Sequence, residues 1–286
     1  MSERKTRYGF ITNTERDDSI PQKFVDQPML KRSSLSDTEQ RQELVLNVTS
    51  LMFSYAFMVS SAVYAALAAL MVNSASCAQS AAICTVAALH YSAMKRAVLS
   101  GEGDSPNGVP GMSALTDNRI QLYLMYADWL TTFPMLSIKL LTMAKSGSGK
   151  VDPFWDSKFM YPATALISLA MIVSGAMSVI ITGDWGVSTN GKSRVFRIVA
   201  MLVGMVCLIL LYTIIYTVTE QAKSEHGPAV YIFSLVWLGY PTIAGLEMML
   251  GPLIPAWRTL WIAILDVVSK AFLAIYVATD VLENKA

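Results

Sequence analysis

LMFSYAFMVSSAVYAALAALMV, residues 51–72, is an apolar run that contains no charged side chain. A helix needs about 20 such residues to cross a hydrocarbon layer about 30 Å thick. Inside that layer the backbone must satisfy its own hydrogen bonds, which a helix does within one segment. The run therefore predicts a membrane-spanning helix, and its extension back to Glu43 gives a first span over residues 43–72.

Further apolar runs of similar length follow the first. Turn-forming residues separate them, as in GEGDSPNGVPG at 101–111 and GDWGVSTNGK at 183–192. The runs do not alternate polar and apolar residues as the strands of a barrel would. We predict an all-α membrane protein, a seven-transmembrane-helix bundle with antiparallel neighbours. The later spans are predicted at about 79–99, 119–144, 156–182, 193–220, 228–250 and 255–282.

The composition agrees with a membrane protein, because 53% of the 286 residues are hydrophobic and 15% are charged. Soluble domains carry about 25% charged residues. Residues 1–42 are polar and lack the apolar core of a signal peptide, so we expect a polar N-terminal tail before a membrane domain at 43–286. The expected location is integral and multi-pass, in the plasma membrane or another cellular membrane.

The charge and the cysteines exclude several kinds of partner. The net charge of +1 gives no reason to expect a nucleic-acid partner, and the lipid bilayer is the expected one. The three cysteines and two histidines have no metal-ligand spacing, so no metal site is expected. The cysteines are interpreted as small buried residues.

Ionisable residues interrupt the apolar spans at a few positions. Each costs roughly 2.5–3.5 kcal/mol to insert, so each needs a partner or a function. Asp128 and Lys139 lie in the third span, and Asp266 and Lys270 lie four residues apart on one face of the seventh. His90 lies in the second span. Two carboxylates around one lysine predict a site built around proton binding, and the alternative is a set of structural salt bridges between helices.

A buried lysine can carry covalent chemistry. Apolar surroundings favour the neutral amine, which condenses with an aldehyde to form a Schiff base. Trp129 follows Asp128, and Trp237 and Tyr240 lie three apart on one face of the sixth span. Such aromatic walls suit a flat, conjugated cofactor with a carbonyl group, although aromatic residues at this spacing also serve simple helix packing.

Four short motifs together resemble the microbial (type 1) rhodopsins. The third span reads YADWLTTFPML at 126–136, similar to the family pattern RYxDWxxTxPL, and the sixth reads WLGYP at 237–241, similar to WxxYP. The seventh reads LDVVSK at 265–270, similar to the family's DxxxK lysine signature. LHY at 89–91 resembles the proteorhodopsin and xanthorhodopsin branch.

The resemblance implies a cofactor and a role for each matching residue. All-trans retinal is expected as a Schiff base on Lys270, with Asp128 as the primary counterion and proton acceptor and Asp266 as the second counterion. His90 resembles the histidine that hydrogen-bonds the acceptor. Residues expected to bind the cofactor with Lys270 are Trp129, Thr132, Leu136, Met171, Gly175, Trp237, Tyr240 and Pro241.

Two positions depart from the usual pattern. The family's arginine three residues before the acceptor is Met125 here, so we expect the counterions to lack their usual compensating charge. Our hypothesis is that Arg258, with Glu247, supplies part of it. The cytoplasmic proton donor, usually a carboxylic acid, is Lys139, which resembles the family's pumps with lysine there. Lys139 acts as this donor or extends its amine to the membrane interface.

The resemblance implies a retinal-binding photoreceptor rather than an enzyme. The expected function is a light-driven outward proton pump, in which the Schiff-base proton passes to Asp128 and Lys139 restores it. The alternatives are a light sensor with a slow photocycle and a light-gated ion channel. Family members form trimers or pentamers, so a homo-oligomer is expected. The family orientation places the N-terminus outside, whereas the distribution of lysine and arginine favours the opposite direction.

Overall fold

The fold is a bundle of long helices, seen in a computed structural model that describes residues 37–100, 118–180, 191–250 and 255–284. Seven helical rods of membrane-spanning length follow one another in these ranges, as the sequence predicts. The helices are α1 Asp37–Val72, α2 Ala75–Ser100, α3 Asn118–Ala144, α4 Pro153–Asp156, α5 Met160–Ile180, α6 Gly191–Ala222, α7 Gly227–Val236, α8 Gly239–Leu250, α9 Pro255–Asp266 and α10 Leu273–Glu283.

The first, fourth and sixth predicted spans differ in detail from the observed helices. The first begins at Asp37 rather than at 43. The predicted start of the fourth span, at residue 156, falls in the separate short helix α4. That helix is capped by the Asp152 side chain, which accepts a hydrogen bond from Phe154 N at 2.8 Å. The sixth span is two helices, α7 and α8, which meet at Trp237 and Leu238. The predicted tail boundary at 42 therefore falls inside α1.

The seventh span contains a change of helix type. Between α9 and α10, residues Val267–Phe272 form a π-helical segment, whereas the sequence pattern predicts a continuous α-helix. A π segment widens the turn by one residue and commonly occurs at functional sites. Lys270 lies inside this segment.

Five of the described helical rods are long and apolar enough to cross a membrane by composition alone. The two that fall short are α2 and α3. They carry polar residues within the bundle, including Gln79 and His90 in α2 and Asp128 and Lys139 in α3. The protein therefore concentrates its intramembrane polar groups where these two helices face the last span.

The inside of the bundle contains both apolar and charged side chains. Trp237, Tyr91, Phe133, Lys139 and Lys270 are among its largest fully buried side chains. The register between α1 and the last span is fixed by Phe57 against Phe272, with ring centroids 6.1 Å apart, and by Tyr64 and Thr279, whose hydroxyls lie 3.2 Å apart. Many large apolar residues of α1, α5 and α6 point outward, as lipid contact requires.

One end of the bundle is closed by two links that pack on each other. We call it the Lys139 end, because the C-terminal part of α3 lies there. Residues 147 and 149 approach the backbone of 221–223 closely, and an added Cβ at Gly147 would lie 2.2 Å from Ala222 O. Gly149 N also donates to Ala222 O at 2.7 Å. Glycine is thus required for this contact between the links.

Asn47 provides a stability prediction. It is fully buried in α1, and neither polar atom of its side chain has a hydrogen-bond partner within the described ranges. Leaving buried polar groups unsatisfied costs about 1–3 kcal/mol. We expect Asn47→Leu to raise the midpoint of thermal unfolding, followed by loss of helical circular dichroism.

Ser50→Ala is the matched control, because the Ser50 hydroxyl already donates to Leu46 O at 2.7 Å. That variant should leave the midpoint nearly unchanged. A lower midpoint for Asn47→Leu would contradict the assignment of Asn47 as an uncompensated polar residue.

Candidate functional site

An ion cluster lies in the middle of the bundle. The Lys270 ammonium contacts Asp128 Oδ2 from α3 and lies 3.1 Å from Asp266 Oδ2 on its own span. All three side chains are almost completely buried. The four-residue spacing of Asp266 and Lys270 therefore forms the contact that the sequence predicts, and Asp128 is brought to it by tertiary packing.

Asp266 is held by three hydrogen-bond donors. Tyr91 OH donates to Oδ2 at 2.9 Å, Tyr240 OH donates to Oδ1 at 2.5 Å, and Trp129 Nε1 donates to Oδ1 at 3.3 Å. Hydrogen bonds to a carboxylate stabilise its charged form. These donors fix the position and orientation of the Asp266 carboxylate beside Lys270.

Asp128 has a different environment. Its Oδ2 contacts Lys270, but its buried Oδ1 has no hydrogen-bond partner among the described residues. The imidazole of His90 lies near that oxygen, with its Nδ1 3.8 Å away. Of the two carboxylates, Asp128 is the one with an oxygen free to receive a proton.

His90 is close to Asp128 without bonding to it in this structure. The 3.8 Å separation exceeds hydrogen-bond length. His90 Nδ1 instead lies 2.9 Å from Val86 O, one turn earlier in α2. The imidazole is thus placed beside the acceptor and would need a small rotation to bond to it.

Lys139 lies three helical turns from Asp128 on α3. Its side chain is buried, and its ammonium donates to Ser76 O at 2.8 Å and contacts Ser76 Oγ, in the first turn of α2. Among the described residues no carboxylate forms an ion pair with Lys139. The amine is therefore buried at the Lys139 end of the bundle, where it bonds to the start of α2.

The π segment gives Lys270 a further contact. Lys270 O accepts a hydrogen bond from Leu273 N, and the Cys84 thiol donates to the same oxygen at 3.6 Å. The sequence alone missed Cys84, Tyr91 and Ser76 as members of the site. Tyr91 had a usable signal, because a tyrosine hydroxyl inside an apolar span needs a polar partner.

An apolar cavity of about 130 Å³ lies beside the ion cluster. An engineered cavity of about 150 Å³ binds benzene, so this one has room for a hydrocarbon ring. Predicted residues in its lining are Trp129, Met171, Gly175, Trp237, Tyr240 and Pro241, and Phe133 and Ile172 are among those that the sequence did not indicate.

The cavity and the ion cluster share two side chains. The rings of Trp129 and Tyr240 line the cavity, while their polar atoms donate to Asp266. Thr132 and Leu136 are also buried but lie outside this lining, and the Thr132 hydroxyl donates to Asp128 O at 2.9 Å. One continuous site therefore runs from the Lys270 amine to an apolar chamber.

The residues considered for charge compensation lie on the α8 and α9 side. Arg258 is buried in α9, eight residues before Asp266, or about 12 Å along the axis. Glu247 belongs to α8, but its side chain lies outside the described residues. Met125 is buried where the family pattern has arginine. The compensating role of Arg258 with Glu247 stays a prediction.

The fold resembles those of known microbial rhodopsins. The rhodopsin of Exiguobacterium sibiricum is 18% identical, with a TM-score of 0.61 over 84% of this chain and 96% of that one. Xanthorhodopsin, a light-driven ion pump with dual chromophore, is 20% identical, with a TM-score of 0.62 over 84% and 94%. The light-driven proton pump of Coccomyxa subellipsoidea is 20% identical, with a TM-score of 0.58 over 82% and 96%.

Sequence comparison gives the family directly. Curated protein sequences give no match to the chain. The family of bacteriorhodopsin-like proteins matches residues 45–282, which is most of the chain and includes all seven helical rods. Together with the helical architecture, this match establishes that the chain belongs to the bacteriorhodopsin-like family, the seven-helix retinal proteins of membranes.

Proposed function

We propose that this protein binds all-trans retinal on Lys270 and uses light to transport protons outward. The observation that carries the proposal is the position of Lys270: its amine lies between two buried carboxylates, and one of them, Asp266, accepts hydrogen bonds from two residues that line an apolar cavity. A structural salt bridge alone would not need that cavity.

The residues of this site suit both the aldehyde end and the ring end of retinal. The Lys270 amine is the nucleophile for an aldehyde, and Asp128 and Asp266 balance the positive charge of the resulting linkage. The cavity has the size and the apolar walls that a hydrocarbon ring requires. When bound, retinal supplies light absorption, isomerisation and a protonated imine nitrogen.

The two carboxylates divide the proton chemistry. Asp266 has both oxygens occupied by hydrogen-bond donors, so it orients the Lys270 nitrogen. Asp128 has a bare Oδ1 and direct contact with Lys270, so it accepts the proton that leaves this nitrogen. His90, whose Nδ1 lies 3.8 Å from Asp128 Oδ1, then rotates its ring and forms a hydrogen bond with the protonated carboxyl group.

Lys139 restores the proton at Lys270. Its amine is buried and forms no ion pair with a carboxylate among the described residues, so no acid side chain there holds its proton in place. Ser76 holds the Lys139 amine at the end of the bundle opposite to the side on which Met125 lies. The proposed orientation places the Lys139 end in the cytoplasm, so net transport is outward. The proposed assembly is a trimer or pentamer.

A light sensor is the second candidate, and Met125 favours it. An apolar residue in place of the usual arginine removes a charged group from the outward side of Asp128. Slow release of the proton from Asp128 on that side would prolong the photocycle. Light-induced acidification outside cells that a protonophore abolishes supports the pump, whereas a slow cycle without acidification supports the sensor. A photocurrent that reverses with voltage would indicate the light-gated channel.

The first prediction of the proposed function concerns the covalent link between Lys270 and retinal. Purified protein with added retinal should show a visible absorption band that hydroxylamine bleaches, and Lys270→Ala should show none. Lys139→Ala is the matched control, since it removes a different buried lysine and should keep the band. A band that persists in Lys270→Ala would overturn the proposal.

A second prediction concerns proton transfer. Asp128→Asn should form pigment yet lose light-driven acidification, because the acceptor is gone. Lys139→Met should slow recovery of the protonated pigment by roughly 10²–10⁴-fold, the usual contribution of a positioned proton donor. Flash photolysis and pH recordings measure both effects, and an unchanged recovery in Lys139→Met would exclude the donor role.

A third prediction concerns the cavity. A Cβ at Gly175 would lie 3.6 Å from the Tyr126 ring, an ordinary contact, so Gly175→Ala should keep the pigment. Gly175→Phe should fill the cavity and reduce the pigment yield to a small fraction. Gly245→Phe is the control, because a Cβ there meets nothing within 4 Å. Normal pigment yield in Gly175→Phe would contradict the placement of the ring.

A further inference from the structure

A polar cluster joins the start of α7 to α10 at the Lys139 end of the bundle. His226 Nδ1 lies 3.0 Å from the Tyr276 hydroxyl, and His226 Nε2 lies 3.6 Å from Asp280 Oδ2. The side chains of His226 and Asp280 are 16% and 29% exposed, so water reaches them although the protein holds their positions. The pump chemistry described above uses none of these three residues.

Backbone contacts connect this cluster to the helix that carries Lys139. The Ser224 hydroxyl, two residues before His226, donates to Met143 O at 2.7 Å, and Glu225 N donates to Ser146 O at 3.0 Å. Met143 is one helical turn beyond Lys139 on α3. His226 is therefore anchored at the end of α3 toward which the Lys139 amine points.

Lys139 needs a source of protons at this end. Its amine is bonded to Ser76 and has no carboxylate partner within the described part of the chain, so no adjacent acid can refill it. A buried donor that has released its proton must recover one from water on its own side. An imidazole accepts and releases protons near neutral pH, which suits it to collect them.

We propose that His226, with Asp280 and Tyr276, is the proton-uptake site that recharges Lys139. His226 takes one proton from water and releases it toward the Lys139 amine, so each cycle returns His226 to its starting state. Asp280 stabilises the imidazolium by its charge, and Tyr276 orients the ring through Nδ1. This inference rests on the proposed role of Lys139 as donor.

Other charged groups near this end of the bundle contact residues other than His226. Glu220 accepts a hydrogen bond from Tyr231 at 2.5 Å, and Lys145 lies 3.4 Å from Asp156. Lys223 and Glu225 precede the histidine in the link between α6 and α7 and have opposite charges. From α10, Asp280 and Tyr276 face the imidazole directly.

The test is the pH dependence of pigment recovery in His226→Gln. Flash photolysis of the full-length pigment should show a recovery at least about tenfold slower than that of the unmodified protein. The remaining rate should be proportional to proton concentration, because hydronium ions from bulk water then supply the proton directly. Added imidazole, a diffusible proton carrier, should restore the rate. Glu283→Gln, an exposed acid at the same end, is the control and should recover normally.

Two outcomes would overturn the proposal: an unchanged recovery in His226→Gln, or a slow recovery that imidazole does not restore.

Asp280→Asn provides a second variant should His226→Gln give no pigment. Its recovery should also be slower than that of the unmodified protein, because the His226 ring has lost the carboxylate beside Nε2, and an unchanged recovery would contradict the role. Lys139→Met separates the two claims: if it recovers normally the donor role fails, whereas normal recovery in His226→Gln alone removes only the uptake site.

Discussion

The contact of the Lys270 amine with Asp128 and Asp266 is the constraint on which the rest of the site depends. Three ionisable groups buried together are stable only as a set, since removing one partner from a buried ion pair typically costs about 3–5 kcal/mol. α3 and the last span must therefore meet at one level of the bundle. The π segment at Lys270 and the break between α7 and α8 adjust the helices around this level.

The unequal environments of the two carboxylates give the cluster its direction. Donors on α2, α3 and α8 all reach Asp266, while one oxygen of Asp128 stays without a hydrogen-bond partner among the described residues. A proton leaving Lys270 therefore has one favoured destination. The second lysine, Lys139, lies three helical turns from Asp128 and, within the described ranges, bonds to Ser76, which is why its proposed role belongs to the opposite side of the membrane.

Sequence alone predicted the seven-helix bundle and the lysine with its two acids, because these follow from apolar run length and from residues that hydrocarbon does not tolerate. The family is confirmed by the match over residues 45–282. The donor Tyr91, the acceptor Ser76 and the thiol of Cys84 were missed, since their roles depend on which helices become neighbours. The π segment was missed because hydrophobic periodicity over six residues does not separate it from an α-helix. The contact of His226 with Asp280 joins residues far apart in the chain and could not be read from spacing.

The central claim is that Asp128, and not Asp266, receives the proton from Lys270. Infrared difference spectroscopy of the illuminated pigment measures this directly, because a carboxylate that gains a proton acquires a carbonyl stretching band. The band should appear on illumination of the unmodified protein, shift in Asp128→Glu and vanish in Asp128→Asn. A band that survives in Asp128→Asn and disappears in Asp266→Asn would contradict the account.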